Sequence, residues 1–248
     1  MQKIIAISDV HGHYDELMKL MDKTVQEWGV DFARDTFIFL GDYVDGGYKT
    51  RQVLAKMMKW QKMYPHWIFL KGNHEDMMVN ASKSRPFQDT FELWYTQGGK
   101  ATSLSYVPKS EQYKYLQDRG AHTFIYKTHL DWIDSLPTWT DAMGYVFVHG
   151  GIDPKLGTET PANEMMWIRE PFISSKKDFG FKVIFGHTIF PHNDPSKHLQ
   201  PLVMKNKIGI DTMAHNNGKL TALLLPDEKF LHQDSLTVNN YHWNRVFY

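Results

Sequence analysis

The 248-residue sequence contains no cysteine. This absence excludes disulfide bonds, thiolate metal ligands and a cysteine nucleophile, and it is consistent with a reducing compartment. The sequence also lacks an excess of either charge, because 28 basic side chains balance 28 acidic ones. A balanced charge provides no broad basic surface for nucleic acid or for an anionic membrane. Any affinity for a phosphate group must therefore arise locally, at one particular site.

Long apolar runs are also absent. No stretch reaches the roughly 18 residues of a membrane span, and the first ten residues lack the pattern of a signal peptide. We therefore predict a cytoplasmic protein that binds neither nucleic acid nor a membrane; the sequence indicates no oligomeric state. A hydrophobic content of 42% suffices for a substantial core, and no linker, repeat or low-complexity tract interrupts the chain. We expect residues 1–248 to form a single domain.

Short apolar runs followed directly by polar clusters are the clearest pattern in the first third of the chain. Runs at 4–7, 37–40 and 67–70 each precede a cluster rich in Asp, His, Asn or Gly, which predicts buried parallel strands. Helical periodicity at 14–28 and about 53–64 separates the runs, which is the element order of an α/β fold. Because ligands bind beyond the carboxyl ends of parallel strands, we expect the three clusters to meet at one edge.

The rest of the chain is predicted to complete this sheet architecture. Residues 76–144 have the pattern of a helical excursion beside the site, without a strand of their own. Three short β-like runs near the end predict an antiparallel sheet. We expect helices near 74–84, 87–97 and 111–119, strands at 145–148 and 182–185, and the antiparallel runs at 202–204, 207–211 and 219–225.

Six oxygen or imidazole donors stand where predicted strands end, namely Asp9, His11, Asp42, Asn73, His149 and His187. The set suits divalent metals of intermediate hardness such as manganese, iron or zinc. Without cations, Asp9 and Asp42, with Asp45 and Glu75 nearby, would crowd negative charge into a desolvated rim. Six donors exceed the need of one tetrahedral ion and do not close two octahedra, so positions remain open for water and substrate.

Each donor also has an ordinary structural explanation when it is considered alone. An Asp-Gly pair at a strand end, such as Asp42 after Gly41, is most often part of a turn. His149 and His187 could be buried histidines that only satisfy hydrogen bonds, and Arg169 could form a surface ion pair. Nine further histidines match no motif and are assigned no function: His13, His66, His122, His129, His192, His198, His215, His232 and His242.

Five motifs occur in a fixed order along the chain: Asp-x-His-Gly at 9–12, Gly-Asp-x-x-Asp-x-Gly at 41–47, Gly-Asn-His-Glu at 72–75, His-Gly-Gly at 149–151 and Gly-His-Thr at 186–188. Together they resemble the calcineurin-like metallophosphoesterases, specifically the phosphoprotein phosphatase branch with its lambda-type bacterial and phage members. The resemblance runs from about residue 4 to about residue 225. It implies an α/β fold in which a central β-sandwich, flanked by helices, carries two metals at its rim.

The resemblance also implies how the six donors divide between two divalent metals. Asp9 and His11 would hold the first metal, Asn73 with His149 and His187 would hold the second, and Asp42 would bridge both. A hydroxide between the metals would then attack phosphorus in line, because each metal lowers the pKa of bound water. No covalent phosphoenzyme is required by this mechanism.

Further roles follow from the same resemblance. His74 resembles the family's general acid, which Asp45 would orient and charge, and Arg169 resembles the arginine that binds the phosphoryl oxygens. The family commonly has an arginine where Gly46 stands, so one phosphate contact is missing here. Lys71, Lys49 and Arg51 are the candidates to replace it, and we assign Lys71 and Asn73 to substrate binding together with Arg169. Asp211 is a candidate hydrogen-bond partner of a metal-bound histidine.

The substrate is less sharply defined than the reaction. The motifs favour a serine/threonine protein phosphatase, so the expected partner is a phosphorylated protein or a small phosphoester. The alternative is a symmetrical diadenosine tetraphosphate hydrolase, a family that shares the core motifs and typically has Asp where Glu75 stands. An inactive scaffold is disfavoured because the predicted donors and the acid His74 are all retained.

Overall fold

The computed structural model describes residues 2–85, 88–115, 119–190, 200–216 and 218–235. Its strands form two five-stranded sheets. In the first sheet β1 is parallel to β2 and β2 to β3, while β9 is antiparallel to β1 on its other side, with Ile5 opposite both Phe37 and Leu224. This sheet has the order β10-β9-β1-β2-β3, with β1 at Ile4–Ile7, β2 at Thr36–Phe39, β3 at Ile68–Phe69, β9 at Lys219–Leu225 and β10 at Lys229–Asp234.

The second sheet combines three parallel strands with an antiparallel strand at each edge. β5, β6 and β8 are parallel, with Val183 opposite both Val146 and Lys207. β4 pairs antiparallel with β5, and β7 pairs antiparallel with β8. The order is β4-β5-β6-β8-β7, with β4 at Trp139–Ala142, β5 at Tyr145–Val148, β6 at Lys182–Phe185, β7 at Leu202–Val203 and β8 at Lys207–Gly209.

Alternation of side chains along the strands divides the core into layers. On β1, Ile4 and Ala6 pack between the two sheets in the same cluster as Phe147 and Ile184 of the second sheet. Ile5 and Ile7 belong to the cluster on the opposite face of the first sheet, which the helices cover. This period of two lets both faces of β1 pack against another layer, because successive side chains point to opposite faces. The predicted α/β fold with a central β-sandwich flanked by helices is confirmed.

Helices lie outside the sheets. The predicted helix at 14–28 is confirmed and ends at Gly29, whose φ of 59° is the left-handed conformation that glycine adopts readily at a helix end. Among the described residues, no helix has both the length and the apolar character that crossing a membrane requires. The helices are α1 at Tyr14–Trp28, α2 at Thr50–Met63, α3 at Asn73–Ser82, α4 at Asp89–Trp94, α5 at Lys100–Ser105, α6 at Lys127–Asp134 and α7 at Ala162–Trp167.

Three predictions of local structure are wrong. The segment 76–144 does contribute a strand, because β4 pairs with β5 at the edge of the second sheet. The three late β-like runs do not form one antiparallel sheet, since β7 and β8 join the second sheet and β9 joins the first. The continuous helix expected at 111–119 is a short 3₁₀ turn at Gln112–Tyr115, and 116–118 lie outside the described residues.

Candidate metal centre

The loops that follow β1, β2, β3, β5 and β6 meet at one rim of the sandwich. Backbone hydrogen bonds join these loops, because the N–H of His11 donates to the carbonyl of Asp42 at 2.8 Å and the N–H of Gly186 to that of His149 at 2.8 Å. Between the sheets, the backbone N–H of His187 donates to both carboxylate oxygens of Asp9, at 3.1 and 3.3 Å. The five motifs therefore build one site from both sheets.

Asp42 is the centre of this donor cluster. Its Oδ2 lies 3.3 Å from Nε2 of His149, 3.7 Å from Nε2 of His11 and 4.0 Å from Nε2 of His74. Two groups of three donors that could each hold a metal ion share this carboxylate. The first comprises His11, Asp42 and His74, and the second comprises Asp42, His149 and His187. Asp42 is thus common to both groups, and its role as a bridge between two metals stays a prediction that this position supports.

Asp9 and Asn73 border these two groups without being members of either. The amide oxygen of Asn73 lies 2.8 Å from Nε2 of His149, which places it beside the second group. Asp9 is buried, and it is close enough to Asp42 and Asp211 for electrostatic repulsion to raise its pKa. Their assignment as ligands stays a prediction that their positions beside the two groups support.

Hydrogen bonds to the backbone orient the imidazole rings. Nδ1 of His11 donates to the carbonyl of Val44 at 2.9 Å, and Nδ1 of His149 to that of Leu40 at 2.9 Å. Each ring therefore presents Nε2, the other nitrogen, to Asp42. Such a backbone acceptor fixes both the tautomer and the direction of a metal-binding histidine.

The loops that hold these side chains adopt an uncommon backbone conformation. Asp9, His11, Asp42, Asp45 and His187 all have positive φ, between 45° and 69°. A positive φ is rare for residues other than glycine, and it costs free energy that the surrounding structure must offset. Five such residues within one site indicate that the loops are held for the geometry of their side chains.

Two glycines make the close approach of the loops possible. A Cβ atom on Gly186 would lie 1.9 Å from Oγ of Ser8 and 2.2 Å from Oδ2 of Asp9. A Cβ atom on Gly72 would lie 2.2 Å from Oδ1 of Asp42. Contacts this short do not occur, so any other residue at these positions would displace the carboxylates.

Glu75 connects two of the loops through backbone hydrogen bonds. Its buried carboxylate accepts the N–H groups of Asp42, Tyr43 and Gly72 at 2.7, 2.7 and 2.9 Å. The sequence analysis considered this residue as nearby negative charge and as a difference from diadenosine tetraphosphate hydrolases, and it predicted no structural contact for it. The structure shows instead that its carboxylate fixes the loop of Asp42 against the start of α3.

The carboxylates of the centre repel one another. Burial, with repulsion from Asp211 and Asp42, raises the pKa of Asp9 well above its usual value. Burial and the charge of Asp42 raise the pKa of Glu75 to about 7, and burial raises the pKa of Asp211 to about 6. Burial also opposes the ionisation of Asp42, but the facing imidazoles of His149 and His74 hold its pKa well below the usual range.

This donor set fits divalent cations. Burial lowers the pKa of His11 and of His187 well below 6.5, so both rings are neutral at pH 7, and the neutral imidazole is the form that binds metals. A divalent cation beside Asp9 and Asp42 would offset the repulsion between the carboxylates. Neutral imidazoles and carboxylates together suit manganese, iron and zinc.

His74, a member of the first group, forms a pair with the buried carboxylate of Asp45. Nδ1 of His74 lies 2.8 Å from Oδ2 of Asp45, whose other oxygen accepts hydrogen bonds from Trp94 and Thr102 at 3.1 and 2.8 Å. Burial lowers the pKa of His74, but Asp42 and Asp45 outweigh it and raise the pKa to about 9. The side chain of His74 is 16% exposed, so it can reach a substrate while Asp45 is fully enclosed. The pair is suited to donate a proton.

Arg169 approaches from the second sheet. Its Nη1 donates to the carbonyl of His187 at 2.8 Å and to Oγ1 of Thr188 at 2.9 Å. These bonds anchor the guanidinium beside the second group of donors while the residue itself stays exposed. Arg169 therefore lies next to His187 of the second group, and its contact with a phosphoryl oxygen stays a prediction.

The three cations considered as replacements for an arginine at Gly46 interact elsewhere. Nζ of Lys71 donates to the backbone and the carboxylate of Asp134, at 3.0 and 3.3 Å. The ammonium of Lys49 pairs with Asp15, and Nη1 of Arg51 donates to the hydroxyl of Tyr126 at 3.4 Å. The structure thus provides no contact that supports Lys71 as a substrate-binding residue.

Asp211 and His215 are two further buried or partly buried side chains at the centre. Asp211 accepts a hydrogen bond from the backbone N–H of Met213 at 2.9 Å, and no imidazole among the described residues is seen to donate to it. His215 was assigned no function, yet its ring packs edge-on against His11 with centroids 4.7 Å apart. Burial, with the nearby charges of His74 and His13, lowers its pKa to about 4. No motif precedes or follows His215, so only the fold could reveal this position.

Curated relatives match parts of the chain. A serine/threonine-protein phosphatase PP1-delta from Caenorhabditis elegans is 38% identical over 79 residues, which cover 31% of this chain and 24% of the relative. The PP2A-like phosphatase PPG1 from Candida albicans is 28% identical over 153 residues, which cover 61% of this chain and 29% of the relative. In both cases the match spans less than a third of the relative's own length.

A solved structure and a family model cover most of the chain. The crystal structure of a putative diadenosine tetraphosphatase aligns with a TM-score of 0.64 and 18% identity over 95% of this chain and 94% of that chain. At this identity the likeness shows the fold alone. The model of the calcineurin-like phosphoesterase family matches residues 2–218. This match includes the predicted metal donors and the His74–Asp45 pair, and the chain belongs to the calcineurin-like phosphoesterase family.

Proposed function

We propose that this chain is a metal-dependent phosphoester hydrolase that removes phosphate from serine or threonine residues of proteins. The observation that carries the proposal is the sharing of Asp42 by two groups of metal donors, the first of which contains His74, the imidazole that also pairs with Asp45. Few other activities need two cations and a protonated imidazole at one edge of a fold. The proposed location, the cytoplasm, stays a prediction.

The donors would hold two divalent cations, with manganese favoured. His11 and Asp9 would bind the first cation, Asn73, His149 and His187 the second, and Asp42 both. Divalent cations bound there supply Lewis acidity, which lowers the pKa of a coordinated water and compensates the charge of the phosphoryl group. The protein contributes the imidazoles of His11 and His149, whose direction the backbone of Val44 and Leu40 fixes.

The protonated imidazole of His74 acts on the leaving group. With Nδ1 committed to Asp45, the N–H at Nε2 is the one that can donate to the departing alkoxide oxygen. The alkoxide of serine or threonine is a strongly basic leaving group, so a proton donor lowers its barrier substantially. Asp45 keeps the ring charged, and its own bonds to Trp94 and Thr102 hold it in place.

Arg169 would bind the phosphoryl oxygens. Its anchoring by His187 and Thr188 leaves the planar guanidinium preorganised beside the second group of donors. Substrate and transition state both carry negative charge on these oxygens, so Arg169 contributes to binding as well as to the chemical step.

The assignment to protein phosphatases rests on the two relatives described above, both of which are named serine/threonine-protein phosphatases and match part of this chain. The difference between Glu75 and the aspartate of diadenosine tetraphosphate hydrolases does not bear on the substrate. The carboxylate of Glu75 is enclosed by backbone N–H groups and cannot touch a ligand. Discrimination between the two substrate classes therefore requires an assay.

The test compares two substrates in parallel. Protein purified without chelator and supplied with manganese is assayed with a phosphoserine or phosphothreonine peptide and with diadenosine tetraphosphate. We expect release of phosphate from the peptide with a higher kcat/KM than cleavage of the dinucleotide. A higher kcat/KM for diadenosine tetraphosphate would support the alternative substrate class, and hydrolysis of neither would contradict the proposal.

A further inference from the structure

A short turn of the chain, residues 169–175, begins at Arg169 and lies behind the second group of metal donors. Within it, the backbone N–H of Ile173 donates to the carbonyl of Arg169 at 2.8 Å, and that of Ser175 donates to the carbonyl of Pro171 at 3.1 Å. A turn this short has few hydrogen bonds of its own. Its position, and with it the position of Arg169, therefore depends on contacts with the rest of the protein.

Phe172 packs this turn against the loops that carry two of the predicted metal ligands. A Cβ atom on Gly151 would lie 2.3 Å from Cδ1 of Phe172, so the ring lies directly on the backbone two residues after His149. The ring also meets that of Phe185, two residues before His187, with centroids 5.0 Å apart. Phe172 is completely buried. The turn is thus enclosed between the connections that follow β5 and β6.

Lys207, the first residue of β8, closes the other end of the turn. Its side chain is completely buried, and its ammonium donates to the backbone carbonyls of Phe172, Ile173 and Ser175, the last two at 3.3 and 2.9 Å. Carbonyls at the end of a helical turn have no N–H partner within the turn, and burying them without a donor is costly. Burial lowers the pKa of Lys207 to about 8, so at pH 7 most of the population has all three N–H donors.

The burial of this ammonium is connected to the position of Arg169. Removing an ammonium group from water costs free energy, and an apolar side chain would fill the same space without that cost. The ammonium of Lys207 fixes the end of the turn, while Arg169 stands at its beginning. The guanidinium of Arg169 is anchored separately, by the carbonyl of His187 and the hydroxyl of Thr188. The backbone and the side chain of Arg169 are therefore held from two different strands of the second sheet.

We propose that Lys207 is a positioning residue for Arg169, whose ammonium holds the turn 169–175 in place so that the guanidinium can bind a phosphoryl group. The inference rests on the proposed phosphoesterase function and adds to it a residue that does not touch the substrate. Because Lys207 acts through Arg169, its removal should weaken the binding of phosphate only while Arg169 is present.

The test is a double-mutant cycle on the binding of inorganic phosphate to the manganese-loaded protein. Lys207→Met keeps the length of the side chain and removes its charge and donors, Arg169→Ala removes the guanidinium, and a third protein combines both changes. Calorimetry gives the affinity for phosphate, and elemental analysis gives the metal content. Lys182→Met is the matched control, because Lys182 is a partly buried lysine of the same sheet whose ammonium pairs with Glu228 and not with the turn.

We expect Arg169→Ala to weaken phosphate binding by about tenfold or more, because a hydrogen bond between charged groups is lost. Lys207→Met should weaken it by about three- to tenfold with unchanged metal content, because the guanidinium remains but is no longer preorganised. In the Arg169→Ala background, Lys207→Met should change the affinity by less than about twofold. Equal weakening in both backgrounds, loss of metal from Lys207→Met, or equal weakening by Lys182→Met would overturn the inference.

A second variant covers the stability of the protein. Lys207→Met leaves three carbonyls without a donor, so circular dichroism checks that it folds. Lys207→Gln keeps two N–H groups, should weaken phosphate binding less, and replaces Lys207→Met in the cycle if that variant does not fold. A wild-type protein that neither binds phosphate nor hydrolyses phosphoesters would contradict the proposed function itself. A wild-type protein that does both, with equal phosphate affinity in the Lys207 variants, would overturn only the role of Lys207.

Discussion

Replacing Asp45 with asparagine tests the proton donor directly. Asp45→Asn keeps the volume of the side chain and the hydrogen bonds with Thr102, but it removes the charge that faces Nδ1 of His74 at 2.8 Å. A carboxylate in contact with an imidazole raises the imidazole pKa by about one to three pH units, and each unit corresponds to about 1.4 kcal/mol. With Asp45 neutral, the pKa of His74 should fall from about 9 by this amount, while the charge of Asp42 continues to oppose the effect of burial.

The direction of the shift in the pH profile follows because only the protonated form of His74 can donate a proton. Activity should fall as the pH rises through the pKa of His74, so the basic limb of kcat/KM should move to lower pH in Asp45→Asn. Above that limb, the rate should be about tenfold lower for each pH unit of movement. Bound cations repel the imidazolium, so in the metal-loaded wild type the limb should lie below pH 9.

The assay compares two esters between pH 5 and pH 10 at saturating manganese. Phenyl phosphate has a basic leaving group that requires a proton, whereas p-nitrophenyl phosphate does not. We expect Asp45→Asn to lose far more activity with phenyl phosphate. Thr102→Val, which removes one hydrogen bond to the same carboxylate and keeps its charge, is the control and should leave the limb nearly in place. Equal losses with both esters, or an unmoved limb, would refute the role assigned to this pair.

Three further predictions concern stability and metal binding. Glu75→Ala leaves buried N–H groups of Asp42, Tyr43 and Gly72 without an acceptor, so urea denaturation should show a loss of at least about 3 kcal/mol, and Glu75→Gln a smaller one. Burial opposes ionisation of Asp35, but hydrogen bonds from Arg34 and the backbone lower its pKa from 3.8 to about 2; this contributes roughly 2 kcal/mol above pH 4 that is lost as the pH falls towards 2. Asp35→Asn should remove that part of the acid dependence in denaturation curves, and an unchanged curve would contradict the assignment. Chelation should abolish phosphoester hydrolysis, and added manganese should restore it and raise the thermal midpoint, whereas hydrolysis that persists without metal would contradict the metal centre.

The sequence predicts the centre of the fold better than its edges. β1, β2, β5 and β6 are mostly buried apolar runs that are followed within two residues by Gly, Asp or His. Their signals are strong because both faces of each strand are covered. β4 and β10 were missed because they are edge strands whose side chains are mostly half-exposed, so no apolar run marks them. The pairing of β9 with β1 was also missed, because strand order is decided by packing between distant segments.

The site residues differ in the same way, because those fixed by a central strand could be predicted and those placed by distant contacts could not. The donors that directly follow strands could be found because the strand fixes where they stand. The direction of the Lys71 side chain could not be predicted, because its ammonium binds Asp134, which lies 63 residues further along the chain. His215 and Glu75 were not recognised for a related reason: the first is brought in by the connection between β8 and β9, and the second acts through backbone groups that a sequence does not display.

The position of β9 between β10 and β1 has a consequence for synthesis of the protein. One side of β1 pairs with β2 early, but its other side has no partner until residues 219–225 leave the ribosome. Nascent chains that stop before that point expose an apolar edge able to pair with other copies. Truncated products should therefore aggregate or recruit chaperones even when they contain all five motifs.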